Sequence, residues 1–258
     1  MERGLGNERK VSPMNRIEEV FGICPVLLPV VHPVGQREAL DAVHLVSGLG
    51  LRGVFLIDQI MPERDVLALV HEIRARHPGL WVGVNLLSRS PAGALVAALR
   101  ECGTIDGIWS DNAGIDEPGG AHPIAAAFVE TRREESWRGL YFGGVAFKYQ
   151  REVSLEDLGQ AASTARAYMD VVCTSGPGTG IAADIEKVRR LRGGLDGHAL
   201  ALASGVTAQN VQRYLPYAQA FLVGTGIETS FGILDPKKIE GLLRSMEGGS
   251  TDAPQVTE

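Results

Sequence analysis

The chain has 258 residues, 45% hydrophobic and 22% charged, with a formal net charge of −6, which suits one large α/β domain better than two small ones. Its 25 basic residues are spread along the sequence, so no basic stripe exists to neutralise a nucleic-acid backbone, and nucleic acid is excluded as a partner. The three cysteines, Cys24, Cys102 and Cys173, are far apart, which excludes a disulfide framework or zinc cluster and fits a reducing compartment.

Residues 1–15 are charged and lack an apolar signal core, and no apolar run approaches the ~20 residues of a membrane span. A cytoplasmic protein without a membrane partner is expected. Residues 1–23 form a lead segment that can place a helix against the floor of the following domain. From residue 24 the sequence repeats a short apolar run, a polar or glycine-rich turn and an amphipathic stretch. The apolar runs at 25–32, 53–58, 81–86, 107–111, 140–146, 170–174, 199–203 and 220–223 predict eight strands, rich in Val, Ile and Leu without polar alternation, as in parallel strands buried on both faces. The stretches at 37–49, 62–77, 91–102, 122–134, 155–168, 184–195, 208–215 and 236–246 predict helices. Several carry start signals, such as Ser90-Pro91, Ser154 ahead of Glu156, Thr207, and Asp235-Pro236. Eight βα units at this spacing predict a (β/α)8 TIM barrel over 24–247, with a disordered tail at 248–258.

In such a barrel the site forms where the strands end. Those ends hold His32, Asp58, Asn85, Asp111-Asn112, Lys148, Thr174-Ser175, Ser204-Gly205 and Gly224-Thr225-Gly226. The last two turns can cradle a phosphate, because glycine lets main-chain N–H groups approach an anion closely, and barrels commonly bind phosphate after strands seven and eight. Thr174, Ser175 and Gly176 open a denser loop through Gly180 that is either a lid or a second anion cradle. It has neither the Lys-Ser or Lys-Thr of a Walker A loop nor the dinucleotide spacing, and no organic cofactor is expected.

Asp58 and Asp111 close buried strands, where a carboxylate is costly unless it is paired, metal-bound or facing a site. They are candidate Mg²⁺ ligands, hydroxyl acceptors or proton carriers. Lys148 should emerge at the rim, to offset charge on an oxyanion or to form a Schiff base. His32 is a candidate acid or base, and Asn85 a candidate orienting group. Asp170 begins its strand and reads as structural. No Ser/His/Asp or Cys/His order and no HExxH motif occurs, which removes covalent hydrolases and zincins.

The segments Thr174 to Gly180, Asp184-Ile185-Glu186-Lys187-Val188, Ala203-Ser204-Gly205-Val206-Thr207 with Asn210-Val211, and Phe221-Leu222-Val223-Gly224-Thr225 together resemble the BtpA family of barrel proteins. Val31-His32-Pro33 is similar to that family's early histidine turn and Asp235-Pro236 to its last helix start. The resemblance implies a phosphate-binding barrel. The family name comes from a role in photosystem I biogenesis, which does not define a reaction and is not carried over. Trp109 to Gly114 and Tyr141 to Gln150 look like a branch with a phosphoribosyltransferase label, although the acidic pair and Thr/Gly loop of ordinary purine phosphoribosyltransferases are missing.

The expected activity is therefore phosphoribosyl or glycosyl transfer or cleavage on a phosphorylated pentose or nucleotide-like molecule. The alternatives are a sugar-phosphate aldolase or isomerase using Lys148, and a non-catalytic assembly or ligand-sensing barrel. Barrels often dimerise, so a homo-oligomer is a further expectation.

Overall fold

The computed structural model describes residues 15–115 and 120–248. Most of the lead segment, and the expected disordered tail apart from Gly248, lie outside the described residues.

Eight parallel strands close into a barrel: β1 (Val26–Val31), β2 (Gly53–Ile57), β3 (Trp81–Asn85), β4 (Gly107–Ser110), β5 (Leu140–Gly144), β6 (Val171–Ser175), β7 (Ala199–Ala203) and β8 (Ala220–Val223). Each pairs with its sequence neighbours, and β8 closes onto β1 through Val26 opposite Ala220 to Pro29 opposite Val223. The chain is thus a (β/α)8 TIM barrel. Helices α2 (Gln36–Gly48), α3 (Glu63–Arg76), α4 (Pro91–Cys102), α5 (Pro123–Glu134), α6 (Leu158–Ala165), α7 (Ile185–Gly194) and α8 (Pro236–Glu247) surround it. Their starts follow local chemistry. Ser90 caps α4 ahead of Pro91, Asp184 accepts from two amides of α7, and Asp235 caps α8 ahead of Pro236.

Alternation along each strand divides the core in two. Leu27, Val31, Val54, Leu56, Val82, Val84, Val172 and Leu202 face the helices, whereas Val26, Leu28, Val30, Phe55, Ile57, Trp109, Phe142, Val171, Cys173, Ala199, Ala201 and Ala203 fill the bore. Aromatic rings occupy the β2–β5 side of the bore. Phe55 meets Trp81, Trp109 and Phe142 edge-on at 5.1, 5.6 and 5.1 Å. Glycine makes room for them, since a Cβ on Gly83 would sit 2.3 Å from the Phe55 ring and one on Gly107 2.3 Å from Trp81.

A short helix α1 (Arg16–Phe21), capped by Asn15, closes the floor, with Ile17 and Phe21 buried and the Phe21 ring 5.3 Å from Trp81. Exposed Cys24 follows it, while Cys102 and Cys173 are buried. Asp170 lies just before β6, accepting from Arg132 at 2.7 Å and the Tyr141 amide at 2.8 Å, a tie within the scaffold.

Three features differ from the sequence expectation. The 208–215 helix is only a 3-10 turn, Val211–Arg213, because Asn210 accepts from the Thr207 amide and donates to the Gly205 carbonyl, bonds that compete with an α-helical start. The 155–168 helix contracts to α6. A small antiparallel hairpin, β9 (Glu228–Ser230) and β10 (Ile233–Leu234), enters between β8 and α8. Among the described residues, no helix is long and apolar enough to cross a membrane.

Candidate functional site

Strand parity decides which side chains reach the mouth. Asn85 and Asp111 share the bore-facing parity of Trp81 and Trp109, and the Asn85 amide donates to Asp111 Oδ1 at 2.9 Å. Burial raises the Asp111 carboxyl above the ordinary carboxylate range, while the Asn85 bond and the Lys148 charge oppose the rise. Asp111 therefore holds its proton to higher pH than an exposed aspartate. Asn85 is 1% exposed and orients this carboxyl.

Lys148 lies between two non-glycine residues with left-handed backbones, Ala146 at φ 48° and Tyr149 at φ 61°. Its amide donates to Ser175 Oγ at 2.8 Å, and its ammonium reaches Thr179 Oγ1 at 3.3 Å. The Tyr149 hydroxyl meets the same Thr179 through its amide at 3.2 Å. Ser175 is completely buried and its hydroxyl donates to the Gly176 carbonyl at 2.9 Å. Thr174 takes the opposite parity and its hydroxyl donates to the Ala146 carbonyl at 3.3 Å, so it braces the loop from the helix side.

The β6–α7 loop folds over the turn after β7. Ser204 Oγ accepts from the Gly180 amide and donates to the Gly178 carbonyl, both at 3.1 Å. Ser204 and Gly205 are both left-handed, at φ 78° and 68°. A Cβ on Gly205 would lie 2.3 Å from the Ile181 carbonyl, so this turn requires glycine for space as well as for angle. Gly226 lies in the 3-10 turn Thr225–Ile227, where a Cβ would meet the Val206 carbonyl at 2.2 Å. It serves the packing of the two turns against each other. The main-chain N–H groups of Gly205, Val206, Gly224 and Thr225 make no hydrogen bond with other described residues.

His32 ends β1 beside Gly224, whose Cβ would come within 2.6 Å of the imidazole Cε1. Its Nδ1 is 2.7 Å from Glu228 Oε1. Glu228 also accepts from the Gly232 amide at 3.2 Å and its carbonyl accepts from Lys238. Phe231 covers the imidazole at 4.7 Å between centroids.

Asp58 belongs to a different setting. Its Oδ1 accepts from the Leu87 amide at 2.7 Å, burial raises its pKa, and the charges nearest to it are Glu63 and Arg89 on the rim. Asn112 closes a turn, accepting from the Gly114 amide at 2.7 Å and donating to Gln150 at 3.0 Å. Among the described residues no group of three or more His, Cys, Asp or Glu side chains is placed to hold a metal ion. Asp58 and Asp111 are held by different partners, the Leu87 amide and the Asn85 side chain.

Two residues here were not singled out from the sequence. Glu228 follows a glycine turn with no strand or helix pattern, and only its partner His32 was legible. Lys187 reads as one more charge on α7, yet its ammonium lies beneath the β5–α6 and β6–α7 loops, donating to the carbonyls of Ser175 at 2.7 Å and of Ala146. Burial lowers its pKa from 10.5 to about 8. Its position in the first turn after the glycine loop was the available signal, since helices of this fold begin at the mouth.

A search of solved structures finds the same fold. A phosphoribosyl anthranilate isomerase from Thermus thermophilus matches with a TM-score of 0.60 and 12% identity, covering 86% of this chain and 98% of the isomerase. An (S)-3-O-geranylgeranylglyceryl phosphate synthase from Thermoplasma acidophilum, in complex with sn-glycerol-1-phosphate, matches with a TM-score of 0.65 and 12% identity, covering 91% and 99%. In sequence, an uncharacterized protein of Archaeoglobus fulgidus is 24% identical over 177 residues, 67% of this chain and 70% of that protein. The model of the BtpA family matches residues 68–248, and the chain belongs to the BtpA family.

Proposed function

We propose that the protein is an enzyme acting on a phosphorylated pentose or nucleotide-like small molecule, by phosphoribosyl or glycosyl transfer or by cleavage at the anomeric carbon. The observation that carries this reading is the pairing, at one barrel mouth, of two turns after β7 and β8, whose main-chain N–H groups are unpaired among the described residues, with a largely buried Asp111 whose carboxyl burial pushes up. In this reading the N–H groups of Gly205, Val206, Gly224 and Thr225 bind the ligand's phosphate and fix the sugar above the bore. Asp111 exchanges a proton with the departing or incoming group and, when ionised, stabilises an oxocarbenium-like state. Lys148 offsets charge on the leaving group, and Asn85 holds Asp111 in position. Mg²⁺ enters only with the ligand's own oxygens, supported by Asp111 or Asp58. The solved barrels named for phosphorylated compounds support the phosphate site by analogy of fold alone.

The second reading, an aldolase or isomerase of a sugar phosphate, draws on the presence of the Lys148 amine at the same barrel mouth as Asp111, whose carboxyl its charge influences. The test is a thermal-shift screen against phosphoribosyl pyrophosphate, ribose 5-phosphate, nucleoside monophosphates and triose phosphates, with and without Mg²⁺. A ligand at a hundred times its Kd adds about 2.7 kcal/mol. A shift with the pyrophosphate and Mg²⁺ supports transfer. Borohydride trapping of a carbonyl substrate on Lys148 supports the aldolase instead, and no shift with any phosphate ester overturns the phosphate site.

A further inference from the structure

The chain contains only five lysines, at 10, 148, 187, 237 and 238, and uses arginine for its other cations. Lys10 lies outside the described residues. Two of the remaining four, Lys148 and Lys187, line a single cleft of about 520 Å³ between the β5–α6 and β6–α7 loops. This concentration at one place is chemically specific, because an ammonium is a compact point charge whose proton can be lost, unlike that of a guanidinium.

Neither ammonium is ion-paired in the cleft. Among the described residues no carboxylate stands within ion-pair distance of either ammonium. Two carboxylates do line the cleft. Asp184 accepts from the Glu186 and Lys187 amides at 2.8 and 3.3 Å, as the cap of α7, and Glu152 is exposed on the lip. Lys187 has only carbonyl partners, and it is largely removed from water, which pulls its pKa to about 8. A buried cation without a counter-charge is costly, and an entering anion relieves that cost. Val153, Leu155, Leu158 and Pro177 give the cleft an apolar wall, beside the polar Gln150, Arg151, Ser154 and Ser175.

We propose that this cleft is a second anion subsite, in which Lys187 and Lys148 receive an oxyanion group, carboxylate or phosphate, at the end of the ligand remote from its cradle-bound phosphate. The apolar body of that end rests against Val153, Leu155 and Pro177. The inference builds on the phosphate cradle described above: it makes the substrate a doubly anionic molecule, with an apolar segment carrying the second acid.

Selective labelling tests this in the intact protein. With ¹³Cε-lysine the side-chain resonances are few, each assignable from a Lys→Arg variant, and the ¹³Cε shift follows ionisation. Orthophosphate and benzoate are the probes, one for each source of the oxyanion. The expected result is a saturable rise of the Lys187 titration midpoint by about one pH unit, with Lys237 and Lys238 unmoved. A rise with benzoate alone identifies a carboxylate subsite, and a rise with orthophosphate alone a second phosphate subsite. Equal movement of Lys237 and Lys238, or no movement of Lys187 with either probe, overturns the proposal. The amide resonances of Gly205 and Gly224, in parallel ¹⁵N-glycine-labelled samples with the same probes, report on the cradle, so failure of that site is read separately from failure of this one.

Discussion

The imidazole of His32 and the carboxylate of Glu228 stand 196 residues apart in sequence and meet at 2.7 Å, Nδ1 to Oε1, with both side chains almost entirely buried. The pair joins the end of β1 to the hairpin before α8 and sets the imidazole edge against Gly224. Removing the carboxylate leaves a buried polar ring without its partner. Glu228→Ala should lower stability by about 3–5 kcal/mol in urea unfolding, and Glu228→Gln, which keeps an acceptor, by less. An Ala variant as stable as the parent would mean that the pair does not hold the hairpin.

Asp111 carries the opposite sign. Its folded pKa is raised by burial, so the folded state binds the proton more tightly than the unfolded chain does. Its contribution to stability is present below the unfolded carboxylate pKa and is lost as pH rises through the folded value. Asp111→Asn keeps the Asn85 bond through its carbonyl oxygen and removes that loss. The variant should be more stable at neutral pH by about 1 kcal/mol and should lose turnover of whatever substrate the thermal-shift screen identifies. A drop in Tm for Asp111→Asn would contradict this account.

Gly205→Ala tests the cradle. The new methyl group would meet the Ile181 carbonyl at 2.3 Å in a left-handed backbone. A strain of about 1–3 kcal/mol should appear in the melting temperature, and the phosphate-ester shifts should shrink or vanish. Gly103→Ala, at φ 70° with open space around it, is the matched control, expected to show backbone strain with ligand shifts intact.

Lys187 supplies a pH signature. Because its folded pKa is about 8 against an ordinary 10.5, the folded state releases the proton first. The penalty for burying the ammonium is therefore present below pH 8 and disappears as pH climbs toward 10.5. Cys102, raised to about 11 by burial, contributes the reverse slope, so the informative quantity is the difference between parent and Lys187→Met. Measured by urea unfolding across that window, the parent should gain stability relative to the variant as pH rises. A constant difference would show that the amine is not shifted.

Much of the barrel was legible because its strands obey one local rule, apolar on both faces, and each ends close to where its first polar or turn residue appears: Val31 before His32, Ile57 before Asp58, Trp109 before Ser110, Val223 before Gly224. What the linear pattern could not carry was direction. Asp58 and Asp111 look equivalent as strand-terminal carboxylates, yet Asp111 takes the bore parity and pairs with Asn85, while Asp58 turns to the Leu87 amide on the rim. Thr174 and Ser175 are adjacent and point to opposite sides for the same reason. The absent helix before β8 was hidden by Asn210, whose side chain claims the backbone groups that a helix start would use. Glu228 and Lys187 act through contacts that close only when distant loops meet.

Among the described residues, the uneven distribution of lysine also gives two chemically distinct poles. Lys148, Lys187, Lys237 and Lys238 all lie after a strand or in the first turn of a helix, which in this architecture is the mouth end, while the exposed thiol of Cys24 precedes β1 at the floor. Among the described residues, amine-coupling reagents would attach the protein by the mouth face, where the ligand site is proposed, and mask it. Maleimide attachment through Cys24 would leave that face presented to solution, the orientation required for any surface-based measurement of what the barrel binds.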